Sequence, residues 1–175
     1  MKRIATGIEH GYSIEDTTLA LMAKKGVILV PTDGDHYIFT KMIEIGYPEN
    51  KDASGTATAW RAGLSERLLR AIKKGVIISA GSDDYLDLKM PFAEASKHTL
   101  IGYFESGATI SQVLQFATIN ASRQLNWSDR IGILKTGYLA DMVAVGNNID
   151  KDIHEILQVS FVMKNGEIVL NKSEK

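Results

Sequence analysis

Apolar positions along the chain fall into two patterns, consecutive runs and helical stripes. Residues 27–30 and 76–78 are apolar at every position and rich in β-branched side chains, as expected of strands buried on both faces. Each run follows Lys-Lys-Gly, at 24–26 and 73–75. Lysines suit a helix C-terminus, where the macrodipole favours cations, and glycine suits the left-handed residue that closes a helix. Residues 23–35 and 72–84 therefore form an internal echo: a helix end, a buried strand, then a polar loop holding aspartate.

Helix starts carry their own signals. Ser13 with Asp16, and Thr109 with Gln112, place a hydroxyl three residues ahead of an acceptor, as in a capping box. Stripes at helical spacing follow: Leu19, Leu21 and Met22; Leu64, Leu68, Leu69 and Ile72; Val113, Leu114, Phe116 and Ala117. A further helix is expected over 91–106, with Pro91 near its first turn. Residues 32–59, rich in Asp, Gly, Asn and Ser, read as a long loop with a helical part over 36–45. The alternation up to about residue 125 predicts α/β layering with parallel strands. From about Arg130 the pattern changes to short β-rich runs, and Asn165-Gly166 between two of them signals a hairpin.

Composition narrows the chemistry. The 175 residues are 45% hydrophobic and 23% charged, ordinary for a globular chain with a real core. Lys and Arg number 20 against 21 Asp and Glu, so charge points to neither nucleic acid nor a membrane surface as a partner. There is no cysteine, which excludes disulfides, thiolate metal sites and a cysteine nucleophile. A metal would need His, Asp, Glu or a modified Lys, and the only histidines are His10, His36, His98 and His154. No signal-peptide pattern and no membrane-length apolar run is present, so a cytoplasmic location is the expectation.

Three stretches carry a family resemblance: GIEHG at 7–11, SAGSDD at 79–84, and the segment 114–145 with Ala117-Thr118, Asn120-Ala121, Gly132, Gly137 and Ala140-Asp141. Together they resemble the amidohydrolase superfamily, in particular its imidazolonepropionase-like and dipeptidase-like members. The first two stretches resemble the ends of the sixth and eighth barrel strands. The third resembles the passage from the last barrel helix into the β-sandwich. The resemblance implies the last strands and helices of a (β/α)8 TIM-type barrel over residues 1–127, then a small β-sandwich segment over 128–175.

It also implies a site. Family members are metal-dependent hydrolases acting on carbon–nitrogen bonds of small-molecule substrates, commonly with zinc, at the C-terminal ends of the barrel strands. By carry-over Asp83 is the catalytic base and a metal ligand, and His10 is a second metal ligand. Asp33, Asp35 and His36 suit turn chemistry, with Asp33 and His36 as alternative substrate-binding candidates. Asp84 reads as a local structural carboxylate, His98 as a surface or satisfied histidine, and Asp141 as a turn residue. The family's His-x-His, its fourth-strand Lys or Glu and its fifth-strand His have no counterpart in this sequence. The expectation is therefore a C-terminal portion of such an enzyme, with no hydrolysis by this chain alone. Its partner would be an upstream-half chain or a second copy. The alternative is a non-catalytic module that binds a partner or self-associates.

Overall fold

A computed structural model of the chain describes residues 5–84, 86–91 and 93–172. Phe92, within the helix expected from Pro91, lies outside the described residues, as do residues 1–4, 85 and 173–175.

The consecutive apolar runs lie side by side. Strand β1 (Gly7–Glu9) pairs in parallel with β2 (Ile28–Val30), setting Gly7, Ile8 and Glu9 opposite Ile28, Leu29 and Val30. Residues 76–79 join the far edge of β2 through a single parallel bridge between Leu29 and Ile78. The Leu29 N–H donates to Ile77 O at 2.9 Å, and the Ser79 N–H donates to Leu29 O at 2.9 Å. All three residues of β2 are buried, as a middle strand covered on both faces requires.

Helices cover these strands. Helix α1 (Asp16–Lys25) closes at left-handed Gly26, φ +68°, as the Lys-Lys-Gly signal predicts. Its start differs from expectation. The helix begins two residues later than a Ser13 cap implies, with Glu15 at the N-cap and no side-chain cap, and the Asp16 carboxylate binds Arg70 and Lys74 at 2.9 and 3.1 Å. Helix α2 (His36–Gly46) is capped by Asp35, which accepts from the Ile38 N–H at 2.8 Å. Helix α3 (Ala53–Lys73) is longer than its stripe implies. Asp52 accepts from the Gly55 N–H and starts it inside the stretch expected as loop. Its buried face also departs from the stripe: Leu69 is exposed while Arg67 is buried.

Helix α4 (Glu94–Glu105) lies directly on the loop after β2. A Cβ at Gly102 would sit 2.5 Å from the Gly34 carbonyl carbon, so only glycine permits this approach. Helix α5 (Ile110–Ala117) opens with both bonds of the expected capping box, and α6 (Ile119–Gln124) follows. The core between these layers is built from Leu19, Leu29, Leu68, Ile78, Tyr103 and Val113.

The remaining strands form an antiparallel sheet in the order β3 (Met142–Ala144), β4 (Phe161–Lys164), β5 (Glu167–Asn171). Asn165 (φ +51°) and Gly166 (φ +84°) make the two-residue turn that Asn-Gly predicts. Asp141 accepts from the Asn165 N–H at 2.7 Å and pairs with Lys164, the turn role expected of it. A 3-10 helix, Ile153–Leu157, ties this sheet to the rest by burying Ile153 in the main core. No helix among the described residues is long and apolar enough to cross a membrane.

Candidate functional site

The three parallel segments end in the same backbone conformation. His10 after β1, Thr32 after β2 and Asp83 after the third segment all have positive φ, at +59°, +63° and +52°. Side chains other than glycine pay about 1–3 kcal/mol for such a state, and a β-branched threonine is an outlier there. Strained residues at three neighbouring segment ends mark this edge as the place to look for chemistry.

His10 and Asp83 converge here. The His10 N–H donates to Val30 O at 2.9 Å, so the ring leaves the sheet at a defined point. Its Nδ1 lies 2.8 Å from Thr32 Oγ1, and the Thr32 hydroxyl itself donates to Pro31 O at 2.6 Å. The Tyr12 hydroxyl lies 3.3 Å from the same nitrogen, so Nδ1 is engaged by two hydroxyls and Nε2 is the ring nitrogen turned to Asp83. Nε2 faces Asp83 Oδ2 at 3.8 Å, with the two side chains 40% and 50% exposed. The Tyr12 ring stacks on the imidazole at a centroid distance of 5.3 Å.

This pair fits part of a divalent-metal site. A nitrogen and a carboxylate oxygen each about 2.0–2.2 Å from one zinc stand about 3.3–3.6 Å apart in tetrahedral geometry, and a ligating histidine normally anchors its other nitrogen on a neighbour. The 3.8 Å gap is a few tenths of an ångström wider than that spacing, a distance a small side-chain rotation closes, and Thr32 supplies the anchor. Among the described residues no group of three His, Cys, Asp or Glu side chains is arranged to hold a metal.

The structure places the other predicted residues elsewhere. Asp33 is buried against Arg67 of α3 and does not line the cleft beside Asp83. Burial pushes its carboxyl above the usual carboxylate range, against the pull of the Arg67 guanidinium. His36 turns toward α3, with Nε2 at 3.2 Å from both Ser54 O and Thr58 Oγ1. His98 Nδ1 meets Asp35 at 2.5 Å and its ring stacks on Tyr37, a satisfied histidine.

The cleft itself joins Asp83, and the Thr32 and Tyr12 neighbours of the His10 ring, to an apolar wall. Tyr12, Thr32, Ser82, Asp83 and Asp84 form its polar side; Ile38, Phe39, Met42, Leu86 and Leu88 form the other. Asp84, expected to act locally, thus shares the cleft with Asp83. Sequence reading missed Arg67, Thr32 and this wall. For Arg67 a signal existed, since it falls three residues after Leu64 and four before Ala71, at helical spacing from both.

Known proteins of similar sequence and shape bear on this geometry. The amidohydrolase family profile matches residues 1–169. A 5-methylthioadenosine/S-adenosylhomocysteine deaminase of Halothermothrix orenii is 27% identical over 149 residues, 75% of this chain and 33% of the deaminase. A Xaa-Pro dipeptidase crystallised with bound methionine superposes with a TM-score of 0.73 at 25% identity, over 94% of this chain and 40% of its own. The ochratoxinase of A. niger superposes at 0.70 with 26% identity, over 95% and 37%. This chain thus spans between about a third and two-fifths of the length of each.

Proposed function

The chain belongs to the amidohydrolase family, and from that membership we propose that it carries the closing part of a metal-dependent active site for hydrolysis of carbon–nitrogen bonds. The parallel segments β1, β2 and 76–79 are, in this reading, the last three strands of a (β/α)8 barrel within residues 1–127. Residues 128–175 supply part of a β-sandwich. The relatives named as a deaminase and a dipeptidase both break carbon–nitrogen bonds, which supports the reaction class. One observation carries the reading: His10 Nε2 and Asp83 Oδ2 face each other at 3.8 Å, with the far side of the imidazole anchored on Thr32.

His10 and Asp83 would hold a divalent metal, zinc by family resemblance, together with ligands supplied by further polypeptide. When bound, such an ion supplies Lewis-acid activation of water and of the bond under attack. Thr32 and Tyr12 engage His10 Nδ1, so Nε2 is the nitrogen left to serve as a ligand. Asp83 Oδ2, half-exposed at the cleft, accepts a proton from the attacking water and returns it to the leaving nitrogen. Ile38, Phe39 and Met42 would receive an apolar part of a small substrate and exclude water from one side of the reaction. Asp33 and His36 enter this mechanism as supports of the loop and of α2 rather than as substrate contacts.

The test joins this chain with the polypeptide that completes its relatives' length. Zinc content and hydrolysis of a panel of amides, dipeptides and amino-purines are measured before and after substitution. Asp83→Ala is expected to lower kcat/KM by about 100-fold or more, and His10→Ala to lower zinc content. Full activity in Asp83→Ala would refute the assignment.

A second reading has its own observation. The accessible surface is 10957 Å² for 19.2 kDa, where a compact monomer of that mass exposes about 8,400 Å². The excess favours a module that buries surface against a partner, with no catalysis of its own. A monomeric species in analytical ultracentrifugation, unchanged when the completing polypeptide is added, would remove that reading.

A further inference from the structure

Taking a charge pair out of water costs several kcal/mol per ion, and a buried pair is often replaceable by apolar side chains without loss of stability. A buried pair next to a candidate site therefore calls for a reason beyond packing. The Arg67 side chain is wholly buried, and its guanidinium has three contacts. One terminal nitrogen donates to the Asp33 carboxylate, the other to the main-chain carbonyl of His10, and the plane lies 5.4 Å from the Tyr12 ring centroid. Its Nε is buried with no hydrogen-bond partner. All three contacts are to the segment ends after β1 and β2, though Arg67 itself sits on α3.

The His10 carbonyl explains the need. At φ +59° the residue has left the strand, so its carbonyl requires a donor from elsewhere. Arg67 provides that donor while the Thr32 hydroxyl holds the ring at Nδ1. Asp33, in turn, fixes the guanidinium. A fork with rigidly spaced N–H groups reaches both acceptors at once, which a lysine head on its flexible stem does not.

We propose that Arg67 is a positioning residue, which clamps the His10 main chain to the Asp33 loop and thereby aims the His10 imidazole at Asp83. The proposal rests on the reading of His10 and Asp83 given above. If it is right, the pair is retained for geometry, and an apolar pair of similar bulk restores the fold without restoring the aim.

The experiment replaces both partners, Arg67→Met with Asp33→Leu, in the full chain, and compares crystal structures and urea unfolding with the parent. The expected result is unfolding close to the parent's, with His10 leaving the left-handed region and its 2.8 Å bond to Thr32 lost. A folded double variant in which His10 keeps its φ and that bond overturns the proposal. Should the double variant not fold, Arg67→Lys decides: displaced His10 supports the clamp, and an unmoved His10 overturns it. Failure of both variants to fold also overturns it, since Arg67 would then serve the fold as a whole. His10→Ala in the otherwise native chain, assayed for zinc by competition with a chelating dye, separates the two claims. Unchanged zinc affinity there would remove the metal reading, while His10 geometry in the Arg67 variants would still judge the clamp.

Discussion

The parallel-strand region and the antiparallel sheet solve the burial problem in opposite ways. The first packs helices against β1, β2 and 76–79 and buries Leu19, Leu29, Leu68 and Ile78 almost completely. In the second, Ile153 is the one buried residue among the described residues from 125 to 172. Leu134, Val143 and Val169 there are 76%, 62% and 67% exposed. The β3–β5 sheet is thus held by its ladder, its Asn-Gly turn and Asp141 rather than by a core of its own. A three-stranded sheet none of whose residues is fully buried is marginal by itself, so its order depends on the anchor at Ile153. Exposed apolar side chains in this region, Leu134, Val143, Ile168 and Val169 among them, give a partner apolar surface to bury.

The contrast makes measurable demands. The largest effect is expected from Leu29→Ala in the middle strand, where removing a wholly buried side chain costs about 3–5 kcal/mol in urea unfolding. Ile153→Ala should cost about 2–4 kcal/mol and, unlike the first, expose 140–172 preferentially to limited proteolysis, because it releases the sheet's attachment. Leu134→Ser should change stability by less than about 0.5 kcal/mol, as for an exposed site. A large loss there would mean that the sheet has a core of its own after all.

The smallest effects concern pH, and their signs oppose each other. Burial raises the Asp33 carboxyl above its usual 3.8. Its contribution to stability is therefore full below that value and is lost as pH rises through the folded-state titration. Asp141 is lowered by its bonds to Lys164 and the Asn165 N–H, so its contribution is present above 3.8 and lost as pH falls. Relative to the parent, Asp33→Asn should remove a stability term that declines with rising pH, and Asp141→Asn one that rises with it. Equal slopes in both variants would erase the distinction between a buried and an exposed carboxylate.

Legibility followed range along the chain. The buried runs, the Lys-Lys-Gly helix ends, the Thr109–Gln112 capping box and the Asn165-Gly166 hairpin were readable because each depends on neighbours a few residues apart. The Ser13 cap failed because the helix starts only at Asp16, with Glu15 as its N-cap, and the Asp16 carboxylate pairs with Arg70 and Lys74, more than fifty residues away. Within the stretch expected as loop over 32–59, the helical part expected over 36–45 formed as α2, whereas residues 53–59 joined α3 because Asp52, which resembles a turn former in sequence, acts as its cap. At the site, His10 and Asp83 were legible only through family resemblance, since nothing local distinguishes a ligand from a turn residue.

By itself, then, the order of residues determined which segments become strands and helices, where most of them stop, and that cysteine chemistry is absent. Periodicity, capping and turn preferences act within a few positions of the chain. Only the folded chain decided that Arg67 on a buried helix face would reach the His10 carbonyl and Asp33, and that Thr32 would engage the imidazole Nδ1. It likewise decided that Asp84 would share a cleft with Asp83. Those outcomes depend on which distant segments meet in a buried, poorly hydrated space, where a single unpaired charge or carbonyl costs more than any local preference supplies.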